Sequence, residues 1–521
     1  MASLRERARY RAIVERDLRS FGRRHGRLFD ASPPATGRRA LIVSLSSFPY
    51  QLKLEGMLAH GLRLQGLEPA VVVPAGVELP RRYFEVFGLR DLVGLDDHLP
   101  DEVDVPRFDP DLVYDGIPVG RYALSTASRI LHAPSVDVDA NLELLQTLVE
   151  TTVRSTLAAG RLLDDLDPEL VLFNERNYAQ EAPLCDVALE RGLNVVQWVN
   201  AFQDDGLVFK RYTEETKGMH PRSLSDESWE RVRALEWTPG RDAELDEEFR
   251  LRYEGGWGLA RRNHGWTRAY SADEIRRELG LRPGRKVAVL FSHVLWDANM
   301  FFRGVDLFPD QEAWFVETVR AACENDRVDW IVKLHPGNVW KQRRDGFEGE
   351  GQELEVLRDR IGPLPEHVRV LRAGSDVSTR SVFELADYGI TIRGSIGIEL
   401  PCFGVPVLTA GTGFYSGRGF TVDFASAAEY LEAVRRIEEL PPLTAGETLL
   451  ARRHAYALFR LRPTRFTSFS TVIRPLEETG HPLDHDLVVN LRTRAELERA
   501  DDLRRFGEWA VGSRALDYLE L

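Results

Sequence analysis

The chain has 521 residues, 43% hydrophobic and 29% charged, which is enough sequence of ordinary composition for two or three globular domains. Its 68 basic and 82 acidic residues give a formal net charge of −14, which excludes a general nucleic-acid binder because phosphate backbones require concentrated positive charge. The three cysteines are far apart and lack metal-ligand spacing, so they predict neither a disulfide framework nor a zinc site and fit a reducing compartment.

Residues 1–36 form a basic helical segment followed by a linker. An apolar stripe recurs at helical spacing among many arginines and consists of Tyr10, Ile13, Val14, Leu18 and Phe21. One interpretation is adsorption to the anionic inner face of the plasma membrane; the other, which we favour, is a helix docked on the protein's own surface. The sequence has no membrane-spanning stretch and no secretory signal, so we expect a cytoplasmic protein.

Strands then alternate with helices over residues 37–211. Apolar runs at 40–45 and 69–73 flank a helical pattern, and a long helix at 142–166 precedes further strands at 170–173 and 195–199. This alternation predicts an α/β domain with a parallel sheet, which we assign to the acceptor.

A second α/β domain is predicted after a helical connector at 212–265. It spans residues 266–440 and has strands at 287–291, 330–334, 368–371, 388–392 and 406–408. We expect residues 441–521 to form a helical tail that packs back on the first domain. The fold class is therefore α/β, with two Rossmann-like, doubly wound domains that face a cleft and carry helical insertions.

A short motif ends the second strand of this domain. Lys333, His335 and Pro336 lie where doubly wound sheets bind their ligands, at the carboxyl end of a parallel strand. His335 can donate to a phosphate oxygen or protonate a leaving phosphate, and Lys333 can add a second cation. The alternative is a histidine that caps a loop beside proline.

A glycine-serine turn and a short helix follow the strand at 388–392. Gly394 and Gly397 let the backbone approach a ligand, and Ser395 offers a hydroxyl beside free backbone N–H groups. Glu399 stands one position too far from Ser395 for a capping box, so we expect it to accept hydrogen bonds from ribose or sugar hydroxyls. The alternative is an ordinary serine N-cap.

Further residues are expected around the cleft. The glycine-rich loop 411–419 carries Tyr415 and Arg418 and is predicted to close over the bound donor; a hairpin-like loop with both side chains on its surface is the alternative. Ser292 and His293, and then Trp296 and Asp297, follow the first strand of the second domain and are predicted to line the same cleft.

Two acidic segments of the first domain compete for the role of general base. Asp204 and Asp205 follow a strand and precede a glycine, where a carboxylate can take a proton from an acceptor hydroxyl. A solvated acidic turn is the alternative, and Glu175 is the competing base. The sequence contains no P-loop, no GxSxG elbow and no HExxH or paired Cys/His set, so we predict no metal and no cofactor other than a nucleotide-sugar substrate.

Residues 286–423 resemble the capsule polysaccharide biosynthesis family, which includes the Kdo transferases of capsular export systems. The resemblance is carried by Lys333-Leu334-His335-Pro336, Ser395-Ile396-Gly397-Ile398-Glu399, Gly404-Val405-Pro406-Val407 and Phe414-Tyr415-Ser416-Gly417-Arg418-Gly419-Phe420-Thr421-Val422-Asp423. The family's last element usually reads close to FYAGWGLTDD, so Arg418 stands in place of Trp and Val422 in place of an acid. A weaker similarity, to bacterial GT-B sialyltransferases, rests on Asp204-Asp205-Gly206, His335-Pro336 and Ser395.

The resemblance implies a GT-B fold and a metal-independent glycosyltransferase of the cell envelope, with a CMP-activated sugar as donor. It implies that His335 and Ser395 hold the CMP phosphate and that Asp205 or Asp204 is the base. The acceptor would be a surface polysaccharide or a glycolipid. A UDP-sugar 2-epimerase, a glycerol-phosphate transferase and a non-catalytic component of polysaccharide synthesis or export are the alternatives.

Overall fold

The computed structural model describes residues 4–29, 36–100, 102–257, 261, 263–297, 300, 304–345, 351–473 and 485–520. The chain divides into two compact units. The N-terminal unit contains Ala2–Ala127, Asp137–Lys217 and Arg462–Leu521, and the C-terminal unit contains Ser128–Val136 and Gly218–Leu461. The expected tail at 441–521 is thus divided between the two units, and it contains a β-hairpin as well as helices.

The strands, numbered in chain order, are β1 Arg39–Val43, β2 Glu68–Val73, β3 Leu92–Gly94, β4 Leu170–Phe173, β5 Asn194–Asn200, β6 Gly206–Tyr212, β7 Val287–Phe291, β8 Asp329–Lys333, β9 Val368–Leu371, β10 Tyr388–Thr391, β11 Val407–Thr409, β12 Val422–Asp423, β13 Thr464–Arg465, β14 Phe469–Ile473 and β15 His485–Val489.

The α-helices of the described residues are Leu4–Phe29, Pro49–Arg63, Glu78–Val86, Val119–Leu131, Leu142–Leu166, Ala182–Glu190, Asp226–Arg233, Pro239–Tyr253, Ala272–Leu279, Gln311–Cys323, Gly337–Asp345, Gln352–Val356, Thr379–Leu385, Ile396–Glu399, Ala427–Arg435, Ala445–Tyr456, Arg494–Glu498 and Asp501–Gly512. None of the helices described here is long and apolar enough to cross a membrane.

The N-terminal unit is built on a seven-stranded sheet with the order β13-β6-β5-β4-β1-β2-β3. Strands β5, β4, β1, β2 and β3 are parallel, whereas β6 runs antiparallel to β5 and β13 antiparallel to β6. β6 is not predicted from the sequence, because the charged residues Lys210 and Arg211 are unusual in a buried strand. Asp517 pairs with Lys210 at 2.7 Å, and the carbonyls of Trp509 and Ala510 accept hydrogen bonds from Arg211.

The helix Leu4–Phe29 is docked on the core of its own unit. Val14, Leu18 and Phe21 are 2–5% exposed and belong to the main hydrophobic cluster of that unit. The buried Lys53 ammonium lies 2.9 Å from Asp17 of this helix and 2.8 Å from Asp486 of the hairpin β14–β15. This confirms the interpretation of the apolar stripe as an internal packing surface.

The C-terminal unit is built on a six-stranded, wholly parallel sheet with the order β12-β11-β10-β7-β8-β9. From β7 the chain moves outward through β8 to β9, then returns to the other side of β7 and moves outward again through β10 to β12. Parallel strands connected by helices in this way form a doubly wound sheet, so the predicted α/β class with Rossmann-like domains is confirmed. The direction of winding reverses between β7 and β10.

Candidate anion-binding site of the C-terminal unit

The reversal between β7 and β10 selects one place on the sheet. In doubly wound sheets, ligands bind outside the carboxyl ends of the strands at the point where the winding direction changes. Here β7 leads into Ser292 and β10 leads into the turn around Ser395, while the neighbouring β8 ends at Lys333. The amide of Ser292 donates to the carbonyl of Lys333 at 3.0 Å. The segments predicted to bind an anion therefore meet at one edge of one sheet.

The imidazole of His335 is held in a single tautomer. The backbone N–H of Gly337 donates to Nδ1 of His335 at 3.0 Å, so Nδ1 is the unprotonated nitrogen and Nε2 carries the hydrogen. Burial, with the neighbouring charges of His293 and Lys333 adding, lowers the pKa of His335 well below its ordinary value. The ring is therefore neutral and presents one N–H donor.

The backbone of His335 is fixed by a chain of buried polar contacts. The His335 amide donates to Oγ of Ser292 at 2.9 Å, and that hydroxyl donates to the Glu353 carboxylate at 3.3 Å. Asn338 also donates to this carboxylate. Burial raises the pKa of Glu353 to about 7, because the four hydrogen bonds that favour its charged form only partly offset desolvation.

Lys333 is a buried cation whose charge is not neutralised. Its side chain is 7% exposed, and burial lowers its pKa to about 8. Among the residues that the structure describes, the ammonium group of Lys333 has no hydrogen-bond or ion-pair partner. Because a buried charge normally has a counter-charge, this ammonium group is the clearest sign of a site for an anion.

Ser395 contacts a residue that lies far from it in sequence. Its side chain makes no capping hydrogen bond; instead its Oγ accepts a 3.1 Å hydrogen bond from Nη2 of Arg252. The ordinary N-cap is therefore not the arrangement found. Within the described part of the chain, the amides of Ser395 and Ile396 have no hydrogen-bond partner. The helix Ile396–Glu399 is too short to contribute a dipole, so these amides and the hydroxyl are what the turn offers.

Glu399 lies behind Arg252 and has no exposed surface. Its Oε1 is 3.1 Å from Nη2 of Arg252, which thus bridges Glu399 and Ser395. Burial raises the pKa of Glu399, although the Arg252 charge opposes that shift. This differs from the prediction that Glu399 meets sugar hydroxyls directly, because a fully covered carboxylate acts on a ligand only through Arg252.

His264 connects the two halves of the site. Burial, followed by the charges of Arg252 and Lys333, lowers the pKa of His264 to about 3, and His264 in turn contributes to the low pKa of His335. Its ring meets the ring of Tyr253 edge-on at 5.2 Å. Arg252 and Lys333 therefore both lie near His264, and Lys333 and His264 both lie near His335.

Tyr415 supports the serine turn from beneath. It is fully buried, and its hydroxyl donates to the Gly394 carbonyl at 2.9 Å. A Cβ on Gly397 would lie 2.0 Å from Cζ of Tyr415, and one on Gly413 would lie 2.7 Å from the same atom. These glycines thus make room for a tyrosine ring, so the predicted donor contact of Tyr415 is replaced by a supporting one.

Arg418 anchors the glycine-rich loop to the helix Asp226–Arg233. It donates to Asp226 at 2.8 Å and to the Leu224 carbonyl at 2.7 Å, and its guanidinium lies 5.9 Å from the ring centroid of Trp229. The side chain is 14% exposed. The position where the resembling family usually has Trp is thus occupied by an arginine whose donors serve the loop itself.

The other predicted residues of this unit lie along the same edge. The rings of His293 and His335 are 6.1 Å apart, and burial, with the Arg393 charge adding, lowers the pKa of His293 to about 4. Asp297 forms an ion pair with Lys341. Although burial alone would raise it, the pKa of Asp297 is lowered overall because of this pair.

The acidic residues proposed as base belong to the N-terminal unit. Asp204 and Asp205 lie in the loop of the β5–β6 hairpin, and Asp205 is 3.5 Å from Arg465, with both side chains more than half exposed. Oε1 of Glu175 accepts hydrogen bonds from the amides of Arg176 at 2.8 Å and Asn177 at 3.1 Å, so this carboxylate caps its own turn. The assignment of a base stays a prediction.

Three residues that complete the site were not predicted from the sequence, namely Arg252, His264 and Glu353, whereas Ser292 lies at the predicted strand end. His264 had a weak signal, a histidine before glycine. Arg252 and Glu353 had none, because each is a charged residue in a charged helical segment. Among the described residues, no group of three or more His, Cys, Asp or Glu side chains is placed to hold a metal ion.

The sequence matches no known protein-family profile and no curated protein. Several solved structures are similar at low identity. The beta Kdo 2,4 transferase KpsC of Thermosulfurimonas dismutans is 14% identical over 64% of this chain and 87% of its own, with a TM-score of 0.34. UDP-GlcNAc 2-epimerase from Neisseria meningitidis is 11% identical over 81% and 96%, with a TM-score of 0.27. The spinosyn rhamnosyltransferase SpnG is 14% identical over 80% and 95%, with a TM-score of 0.25. Likeness at this level does not reveal an activity.

Proposed function

We propose that the protein is a glycosyltransferase whose sugar donor is activated by a nucleotide, with a CMP-sugar as the favoured donor and a surface polysaccharide or glycolipid as the acceptor. The observation that carries the proposal is the buried, unneutralised Lys333, which lies near enough to His335 to add to the effect of burial in lowering its pKa and is found at the winding reversal of a doubly wound sheet. A phosphate bound there supplies the missing counter-charge.

The arrangement suits the departure of a nucleotide. As the bond between the anomeric carbon and the phosphate oxygen breaks, negative charge grows on the phosphate, and Lys333 with the neutral His335 stabilises that charge. The hydroxyl of Ser395 and the amides of Ser395 and Ile396 position the same phosphate. The acceptor hydroxyl forms the new bond to the anomeric carbon and gives its proton to a carboxylate, for which Asp205 and Asp204 are the proposed residues.

The sequence resemblance supports the same class of enzyme. The residues that carry it, Lys333, His335 and Ser395, are those that the fold brings to one edge of the sheet. Two separate stretches of sequence thus converge, which a chance motif match would not require. The preference for CMP over other nucleotides rests on the resemblance alone.

The direct test is calorimetric titration of the protein with CMP, UDP and GDP. We expect one nucleotide to bind, and we expect both His335→Ala and Lys333→Met to weaken that binding by about tenfold or more. His367→Ala is the matched control, because this half-buried histidine of the same unit directly precedes β9 and therefore lies at the opposite edge of the sheet. Unchanged affinity in both site variants would rule out the site.

The reaction class needs a separate measurement. Incubation of UDP-GlcNAc with the protein and no acceptor, followed by sugar analysis, distinguishes epimerisation from transfer, because epimerisation needs no second substrate. A 2-epimerised product would replace the proposal with an epimerase. We expect none.

A further inference from the structure

The outward face of the helix Leu4–Phe29 is almost entirely cationic. Over residues 8–29, where its side chains are described, seven arginines are exposed: Arg9, Arg11, Arg16, Arg19, Arg23, Arg24 and Arg27. The acidic residues Glu15 and Asp17 of the same stretch are paired with cations from other elements of the unit. Glu15 pairs with Arg82 at 2.5 Å, and Asp17 with Lys53 at 2.9 Å.

The arginines form a line on the helix. With 100° of rotation per residue, Arg9, Arg16, Arg19, Arg23 and Arg27 fall within an arc of about 80°. That arc lies opposite the buried stripe of Val14, Leu18 and Phe21. From Arg9 to Arg27 it extends about 27 Å along the helix axis. None of its arginines has an ion-pair partner among the described residues. The hydrogen bond from Arg82 and, to a smaller extent, the charge of Arg19 lower the pKa of Glu15, which is itself paired with Arg82.

We propose that this arginine face binds the surface of a bilayer that contains anionic lipid. The binding is electrostatic and does not involve insertion, because the apolar stripe that an amphipathic helix would bury in lipid is already packed in the core. Each arginine near an anionic lipid surface strengthens binding by roughly fivefold at low salt, so five aligned side chains suffice for reversible attachment.

The face fits a flat anionic surface better than it fits a single-stranded nucleic acid. Proteins that bind single-stranded nucleic acid combine positive charge with exposed aromatic rings on which bases stack. Between residues 8 and 29 no aromatic side chain is exposed; Phe21 and Phe29 are buried and Tyr10 is partly buried. The rest of the chain is acidic, since the total formal charge is −14, so an anionic surface repels it and selects this helix.

The test is co-sedimentation of the full chain with vesicles of neutral phosphatidylcholine, with and without about one third phosphatidylglycerol, at low and high salt. We expect binding only to the anionic vesicles at low salt, and release at high salt. In the quadruple variant Arg9→Gln, Arg16→Gln, Arg23→Gln and Arg27→Gln, the affinity should fall by roughly two orders of magnitude or more.

The matched control removes the same number of charges elsewhere, at the exposed residues Arg277, Arg436, Arg494 and Arg499, each changed to Gln. We expect it to bind as the unaltered chain does. Both variants should keep the unaltered melting temperature and nucleotide affinity, which separates this proposal from the proposed function. Equal binding to neutral vesicles, an equal loss in the control, or binding of RNA or heparin without binding of anionic vesicles would overturn the proposal.

Discussion

The amide of Gly337 donates to Nδ1 of His335 at 3.0 Å, and this contact decides which nitrogen of the ring is offered to a ligand. A backbone N–H is always a donor, so Nδ1 must accept and Nε2 must carry the hydrogen. The glycine matters as well. A Cβ at residue 337 would lie 2.8 Å from Nδ1 and 2.9 Å from Cε1 of His335, closer than carbon atoms normally approach.

Gly337→Ala should therefore weaken nucleotide binding by about tenfold through displacement of the imidazole, with a smaller effect on stability. Isothermal titration measures the affinity, and ¹⁵N chemical shifts of His335 report the tautomer. Gly374→Ala is the control, since the nearest atom to its added Cβ is 4.0 Å away. Equal affinity for Gly337→Ala and Gly374→Ala would remove the argument that the ring position matters.

Lys333→Met should make the protein more stable and a poorer binder of anions. Desolvation of an unneutralised ammonium group destabilises the native state, and methionine fills a similar volume without charge. The expected gain in unfolding free energy is roughly 2–3 kcal/mol in urea denaturation. Such a trade of stability for binding is typical of functional sites.

Lys210→Met provides the contrasting case for that measurement. Lys210 is as buried as Lys333 but pairs with Asp517 at 2.7 Å, so its removal takes away a partner of a buried carboxylate. We expect this variant to lose stability. If Lys333→Met lost as much unfolding free energy as Lys210→Met, Lys333 would be an ordinary paired residue and the anion site would lose its main support.

The same lysine predicts a pH dependence. Below about pH 8 Lys333 is protonated in both the native and the unfolded chain, so the desolvation penalty is fully present. Between its native pKa of about 8 and its ordinary value of 10.5, the unfolded chain binds more protons, and the contribution of Lys333 to stability rises with pH. Nucleotide affinity should change in the opposite sense and decline as pH rises above about 8.

Titrations between about pH 6.5 and 9.5 follow that decline, and Lys333→Met should flatten the upper part of the profile. Glu353, whose pKa is about 7, is a second titrating group near His335. Glu353→Gln therefore belongs in the same series, to separate its contribution below neutrality from that of Lys333 above it. An unaltered alkaline decline in Lys333→Met would assign the effect to another residue.

Local patterns predicted the strand ends of the site and the basic residues on them, but not the charged partners that come from other parts of the chain. The strand ends that carry His335 and Ser395 stand out in sequence because an apolar run, a turn and a glycine are adjacent there. The partner of Ser395, by contrast, is Arg252, which lies 143 residues away and has no local pattern. β6 is not predictable for the same reason, because the partner that makes Lys210 compatible with a buried strand is Asp517, 307 residues later.

The glycine-rich loop shows the limit in another form. A run of glycines with a tyrosine and an arginine was expected to move over a bound donor, since glycine content is the only local signal. In the structure Tyr415 fills the space above Gly397 and Gly413, and Arg418 is bonded to Asp226. These glycines make room for the Tyr415 ring. Whether a glycine serves packing or mobility depends on contacts between distant segments, which a local sequence pattern does not reveal.

Tyr415→Phe tests whether this packing serves the site. Loss of the hydrogen bond to the Gly394 carbonyl should lower the unfolding free energy by about 1 kcal/mol and weaken nucleotide binding, because the serine turn loses its support. Tyr430→Phe is the control: this fully buried tyrosine bonds Trp314 and Thr318, away from the site. It should lose comparable stability and keep its affinity. A parallel loss of affinity in both variants would point to general loosening.

The bridge from Arg252 to Glu399 and Ser395 calls for a double-mutant cycle. Arg252→Met leaves the buried Glu399 carboxylate without its cation, and Glu399→Gln leaves Arg252 with only the Ser395 hydroxyl among these contacts. Each single change should destabilise the protein by about 3 kcal/mol or less. The double change should cost less stability than the sum of the single changes, because neither charge is then left without its partner.

Nucleotide affinity supplies the second readout for the same variants. If Arg252 positions Ser395, Arg252→Met should weaken binding more than Glu399→Gln, which keeps the arginine. The reverse order would mean that Glu399 contacts the ligand itself, as the sequence pattern first indicated.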